Sequence, residues 1–140
     1  MDPDQRQAII DLYHKCDADN IFYTGDYPTL REAHKLTARA TNKLMQGWTK
    51  GAYARDAENN TIEPNDPAAV CWCLEGAISG PYEAYCIVAR VITTALVEST
   101  RQPTLCLINY NDDYAQTVDD VIGPVTIAQQ VIEYAMEVSQ

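Results

Sequence analysis

Four basic residues, Arg31, Lys35, Arg39 and Lys43, recur at every fourth position. Residues four apart on a helix lie on one side, so these cations form a stripe that drifts slowly around the axis. A stripe of this kind suits a phosphate, a nucleotide or an acidic partner. It suits equally a solvated face, or one docked on the protein's own acids. The surrounding charge sharpens the pattern. Residues 31–55 hold six basic side chains against Glu32 alone, which leaves four basic and nineteen acidic residues for the rest of the chain. The acids form a second pattern, with Asp2, Asp4, Asp11, Asp17 and Asp19 early and Asp112, Asp113, Asp119 and Asp120 late. Carboxylates spread over helices can imitate a phosphate track and occupy a basic groove on another protein. Plain acidity for solubility gives the same composition.

Cys71-Trp72-Cys73 is the triplet that invites metal or redox chemistry. Read as helical, its thiols point to nearly opposite sides and one zinc cannot readily take both. The spacing is not that of a Cys-x-x-Cys motif, and neither His14 nor His34 stands at a paired ligand spacing, so packing cysteines are the expectation and no metal or other cofactor is implied. A nucleophilic cysteine needs a lowered thiolate pKa and a base. His34 and Asp112 are the residues that could complete a Cys-His-Asp set, although nothing in their spacing brings them together. Asn111-Asp112-Asp113, followed by Thr117, forms a polar cluster between an apolar segment and a helix. There Asn and Asp close turns through side chain to backbone hydrogen bonds, or line a polar pocket. Tyr23, Tyr27, Tyr110 and Tyr114 stand beside loops, where an amphipathic ring serves a ligand, a partner or a domain rim.

The elements that must position these residues are helical. Asp2-Pro3 is a cap followed by a first-turn proline, and Ala8, Ile9, Leu12, Tyr13 and Cys16 continue at helical spacing, predicting a helix from about Pro3 to Ala18. Asp19-Asn20 and Thr24-Gly25-Asp26 break it. Thr29 and Glu32 form a capping box for a second helix, with Leu30, Ala33, Thr37, Ala40, Thr41 and Leu44 on one face and an end near Gly47. Residues 47–65 read as a polar loop containing Trp48, Tyr53 and Ile62. Asn65-Asp66-Pro67 opens a third, cysteine-rich helix over Ala68 to Ser79, stopped by Gly80-Pro81. A fourth runs from about Pro81 to Ser99. Thr104 to Tyr110 is extended or a single helical turn. Thr117 with Asp120 caps a fifth helix that Gly123-Pro124 should break or kink before a last one bearing Val131, Ile132, Ala135 and Met136. The expected architecture is mainly all-α: one irregular bundle of five to six helices over residues 1–140, with at most one short extended segment.

Composition sets the remaining bounds. The chain has 140 residues, a formal net charge of −10 and 46% hydrophobic residues, enough to bury a core without staples. A surface of that charge repels nucleic acid and anionic membranes. Five cysteines in apolar surroundings, an acidic start and no long apolar run predict a cytoplasmic, unanchored protein with free thiols.

Trp72-Cys73-Leu74-Glu75-Gly76-Ala77-Ile78, then Asn111-Asp112 after an apolar segment, then Thr117 leading into Val121-Ile122 resemble a family of small uncharacterised proteins of bacteria and their phages, a domain of unknown function. The resemblance spans about residues 66–136. In that family a tryptophan usually precedes the acidic pair, where this chain has Tyr110, and the final helix carries no Gly-Pro. The resemblance transfers no catalytic residue, and its phage members imply binding and blocking of a host protein. The expected function is therefore a non-enzymatic cytosolic interaction protein, bacterial or within a phage-infected host, that binds a protein partner through a charged helix face, with self-association left open. The alternative is a small-molecule binder or hydrolase-like enzyme with a pocket near Trp72, Cys73, Asn111 and Asp112.

Overall fold

The protein is described by a computed structural model over residues 1–22 and 26–139. Tyr23 and the Thr24-Gly25 part of the second breaker cluster lie outside the described residues. Helix α1 runs Pro3–Ala18, with Asp2 Oδ1 accepting from the Gln5 amide at 2.9 Å, as its cap-then-proline start predicts. Helix α2 spans Tyr27–Gln46. Its cap is Asp26, whose carboxylate accepts from the Thr29 amide at 2.9 Å, so the Thr29–Glu32 box is not the start. The Asp26-Tyr27-Pro28 run supplies cap and proline one turn earlier.

The expected 47–65 loop and the helix expected from Ala68 are both replaced by a small sheet. Strands β1 (Ala54–Arg55), β2 (Thr61–Ile62) and β3 (Cys71–Trp72) lie in the order β2-β1-β3, all antiparallel, with Ala54 opposite both Ile62 and Trp72. The β1–β2 turn is closed by Asp56 Oδ1, which accepts from the amides of Glu58 at 3.0 Å and Asn60 at 2.8 Å. The β3 strand is fixed from both sides: the Trp72 amide donates to Gly47 O and the Cys73 amide to Tyr53 O, at 3.0 and 3.1 Å. Only Leu74–Ala77 is then helical, as the single turn α3 capped by Cys73. Gly76 is required there, because a Cβ would lie 2.0 Å from the Tyr53 carbonyl oxygen.

Helix α4 covers Tyr82–Thr100 and ends at Arg101 in the left-handed region, φ 61°. The ambiguous 104–110 segment is helical at its end: α5 (Leu107–Asn109) passes into a π-helical turn over Tyr110–Tyr114. Helix α6 then runs unbroken over Asp119–Val138, with Pro124 inside it. The expected division at Gly123-Pro124 does not occur.

The long helices α1, α2, α4 and α6 pack as an irregular bundle, mainly α with the small sheet at one end. Helix α2 packs most extensively on α6 and next on α4. Leu30, Leu36, Leu44, Val88, Ile92, Val125 and Ile132 are among the fully buried side chains, and one contiguous apolar cluster includes them all. Helix α1 adds Ile9 and Cys16 to that cluster, and Tyr13 lies against Phe22 and edge-on to Tyr134 of α6.

Candidate functional site

The periodicity that buries Leu30, Ala33, Leu36, Thr37, Ala40 and Leu44 of α2 turns Arg31, Lys35 and Arg39 outward, and all three are exposed. Along this face the Arg31 guanidinium lies 6.0 Å from the centre of the Tyr27 ring. Lys35 pairs with Glu32 at 3.5 Å on the same helix. Arg39 has neither hydrogen bond nor ion pair among the described residues. Lys43, at the sheet end, is half-buried with its ammonium 5.8 Å from the centre of the Trp72 ring. Burial, and then the nearby Arg39 charge, pull its pKa below the usual lysine range. Lys50 continues the cationic surface past the helix end, with its ammonium 5.4 Å from the Trp48 ring centre and donating to Ala115 O at 2.6 Å. The acids of the remainder do not fold onto the stripe: among the described residues Glu32 is its one ion-pair partner.

The second predicted cluster is brought together, as a structural knot. Asn111 is fully buried. Its Oδ1 accepts from Trp48 Nε1 at 2.7 Å and from the Leu74 amide at 3.0 Å, while its Nδ2 donates to Thr49 O at 3.1 Å and Asp112 Oδ1 at 2.9 Å. Asp112 Oδ1 also accepts from the Gly51 amide at 3.0 Å. Trp72 is buried, with its indole N–H donating to Pro64 O at 2.8 Å. The Cys73 thiol accepts from the Gly76 amide at 3.3 Å, and burial pushes its pKa up, the opposite of what an activated nucleophile needs. These four residues thus join the end of α2, the sheet, α3 and the π-turn.

The remaining expectations on thiols and histidines change with the backbone. Cys71 and Cys73 lie in extended chain, where residues two apart point to the same side, so the helical argument that separated them does not apply. Among the described residues no group of three His, Cys, Asp or Glu side chains is placed to hold a metal. His34 Nε2 lies 2.8 Å from Glu133 Oε1 of α6, and Asp112 faces Asn111 and Gly51, so no Cys-His-Asp set assembles from them. Cys16 is completely buried, which pushes its pKa up to about 11.

Three cavities stand elsewhere. One of about 950 Å³ lies where α1, α4 and α6 meet, beside Ile9, Leu12, Ala95 and Ile127, with the Lys15–Glu98 ion pair at its edge. One of about 580 Å³ includes Asp19, Arg90, Thr94 and Cys106, and one of about 300 Å³ adjoins the sheet. Trp72, Cys73, Asn111 and Asp112 line none of the three. No helix is long and apolar enough to cross a membrane among the described residues.

Compared with known proteins, residues 28–130 match a family of unknown function, DUF6197. No curated protein and no solved structure matches the chain. The matched span runs from the first turn of α2 into the second half of α6, and so takes in the cationic face, the sheet and the Asn111 knot.

Proposed function

The chain belongs to this family of unknown function, and from that premise we propose that it is a non-enzymatic interaction protein that holds an acidic protein partner against the cationic face of α2. The observation that carries the reading is the unneutralised stripe. In a molecule of net charge −10, Arg31, Lys35 and Arg39 stay exposed, with Glu32 as the one carboxylate paired among them in the described residues. Such a molecule carries a local cationic surface within a net acidic whole. Its field turns an acidic partner toward α2 and repels it elsewhere, which raises association rate and fixes orientation. The rings of Trp72 and Tyr27 beside Lys43 and Arg31 give the face rigid aromatic support at each end. The resemblance to small bacterial and phage proteins supports the finer reading that the partner is a cytoplasmic host protein whose own interactions the binding blocks.

The test is recovery of the tagged protein from its native lysate at low salt, with native mass spectra of the complex. The recovered partner is then titrated against the wild type and against the R31A/K35A/R39A/K43A variant. Association of the variant should be slower by about tenfold or more, with a flatter dependence on salt. A variant that keeps both the affinity and the salt dependence of the wild type overturns the reading.

A further inference from the structure

The cavity of about 300 Å³ beside the sheet has a different chemistry from the cationic face. Tyr53, Tyr82 and Tyr85 line it together with Glu63, Glu75 and Pro64, and no Lys, Arg or His is among its lining residues. Neither Glu63 nor Glu75 is in an ion pair among the described residues. The Tyr85 hydroxyl donates to the Glu75 carboxylate. Burial, followed by that hydrogen bond and the Glu75 charge, holds the phenol protonated well above the usual tyrosine range. The lining thus brings two glutamates and three tyrosines together, with no basic side chain among them.

The walls are fixed by backbone contacts independent of any ligand. Tyr53 O accepts from the Cys73 amide at 3.1 Å, the Gly76 backbone is packed on that same carbonyl, and Pro64 O is held by the Trp72 indole at 2.8 Å. This part of the wall needs no ordering on binding, whereas the exposed Tyr82 and Glu63 side chains close on a guest from the rim.

We infer that this cavity binds a small organic cation of the alkylammonium class, with the tyrosine rings around its methyl groups and Glu63 and Glu75 supplying the countercharge. Glutamates without an ion-pair partner disfavour an anion, and a neutral apolar guest would desolvate Glu63 without compensation. Two carboxylates are too few for a protein-built cage around a hard metal ion, which takes six or more oxygens. A quaternary ammonium is weakly hydrated and is the guest that aromatic walls with nearby carboxylates recognise.

Choline is the probe, followed through the ring resonances of Tyr53, Tyr82 and Tyr85, with 3,3-dimethylbutan-1-ol as its uncharged isostere. Choline should shift these rings saturably and the alcohol should not. Tyr82 is 78% exposed and Glu63 is exposed, so the Tyr82→Ala/Glu63→Gln variant keeps its fold, verified by the unchanged resonances of the core. Its affinity for choline should fall about tenfold. A trimethyllysine peptide run alongside separates two sources of the same group. Tighter binding than choline supports a modified side chain as the guest, and weaker binding supports a free small cation. Absence of a saturable shift with either ligand, equal binding of the alcohol, or unchanged affinity in the variant overturns the inference.

Discussion

Asn111 uses both lone pairs of its carboxamide oxygen and both amide hydrogens, on Trp48, Leu74, Thr49 and Asp112. Replacing it with alanine leaves an indole N–H, the Leu74 amide and the Thr49 carbonyl without the partner that Asn111 supplies. Asn111→Ala should therefore cost about 3 kcal/mol or more, read as a lower urea midpoint with an unchanged slope. A shift corresponding to less than about 1 kcal/mol would mean that water takes over those partners. The chemistry of this residue was half legible in the sequence. Asn and Asp after an apolar segment announce side chain to backbone bonding, but the partners lie 37 and 62 residues away in the chain, beyond any local pattern. The cationic stripe, whose spacing of four is itself local, was fully legible as a helix face. The tyrosine-lined cavity was not, because its residues come from the position before β1, the chain after β2, α3 with the turn that follows it, and α4.

Helix α6 shows how one side chain changes the outcome for an element. Pro124 has no N–H to give to Asp120 O four residues back, and its ring crowds that carbonyl, which is why a break is the expectation at Gly123-Pro124. In the structure Asp120 O accepts instead from the Tyr110 hydroxyl at 2.8 Å, while the Asp120 carboxylate accepts from the amides of Gln116 and Thr117 at 2.9 and 3.1 Å. The orphaned carbonyl is satisfied from outside, and the helix continues. Tyr110→Phe should thus destabilise by about 1 kcal/mol. In a Pro124→Ala background, where the helix supplies its own donor, most of that loss should vanish. Equal losses in both backgrounds, measured as a double-mutant cycle by urea denaturation, would show that the Tyr110 hydroxyl contributes independently of the donor that Pro124 removes. The same contrast explains the other elements. Helices α1, α2 and α4 combine a cap or stop signal with several turns of periodicity, enough to read. The strands are two residues each, too short for alternation to register, and β3 is set by bonds to Gly47 and Tyr53 in a segment that the Asn65-Asp66-Pro67 cap signal assigns to a helix.

At the scale of the molecule, charge is the property that both folding and binding must accommodate. Among the described residues two ion pairs join different helices, Arg6–Glu137 and Lys15–Glu98, and a His34–Glu133 hydrogen bond joins α2 to α6; the carboxylates involved are about half exposed. Such pairs contribute little, whereas a net charge of −10 repels itself over the whole surface. Raising NaCl from about 20 mM to about 500 mM at pH 7 shortens the screening length severalfold and should raise Tm by about 2–4 °C. The same salt should weaken the proposed partner complex. Opposite responses of one protein to one variable separate the two roles of its charge, and a Tm that falls with salt would mean that the interhelix pairs outweigh the repulsion. The pH limits follow from other groups. Backbone amides hold the Asp26, Asp56 and Asp120 carboxylates below their ordinary 3.8. Their stabilisation is present above that value and is lost as pH falls below it. Burial raises Cys16 from 9.0 to about 11, so the unfolded chain releases that proton first and stability declines between those two values. Thermal melts across pH should accordingly give a plateau from about pH 5 to about pH 9. A Cys16→Ala variant leaves a cavity that lowers the whole curve but should remove the decline between pH 9 and 11 that belongs to this thiol. An alkaline limb of undiminished steepness in that variant would assign the decline to the buried Cys73 thiol and the raised tyrosines instead.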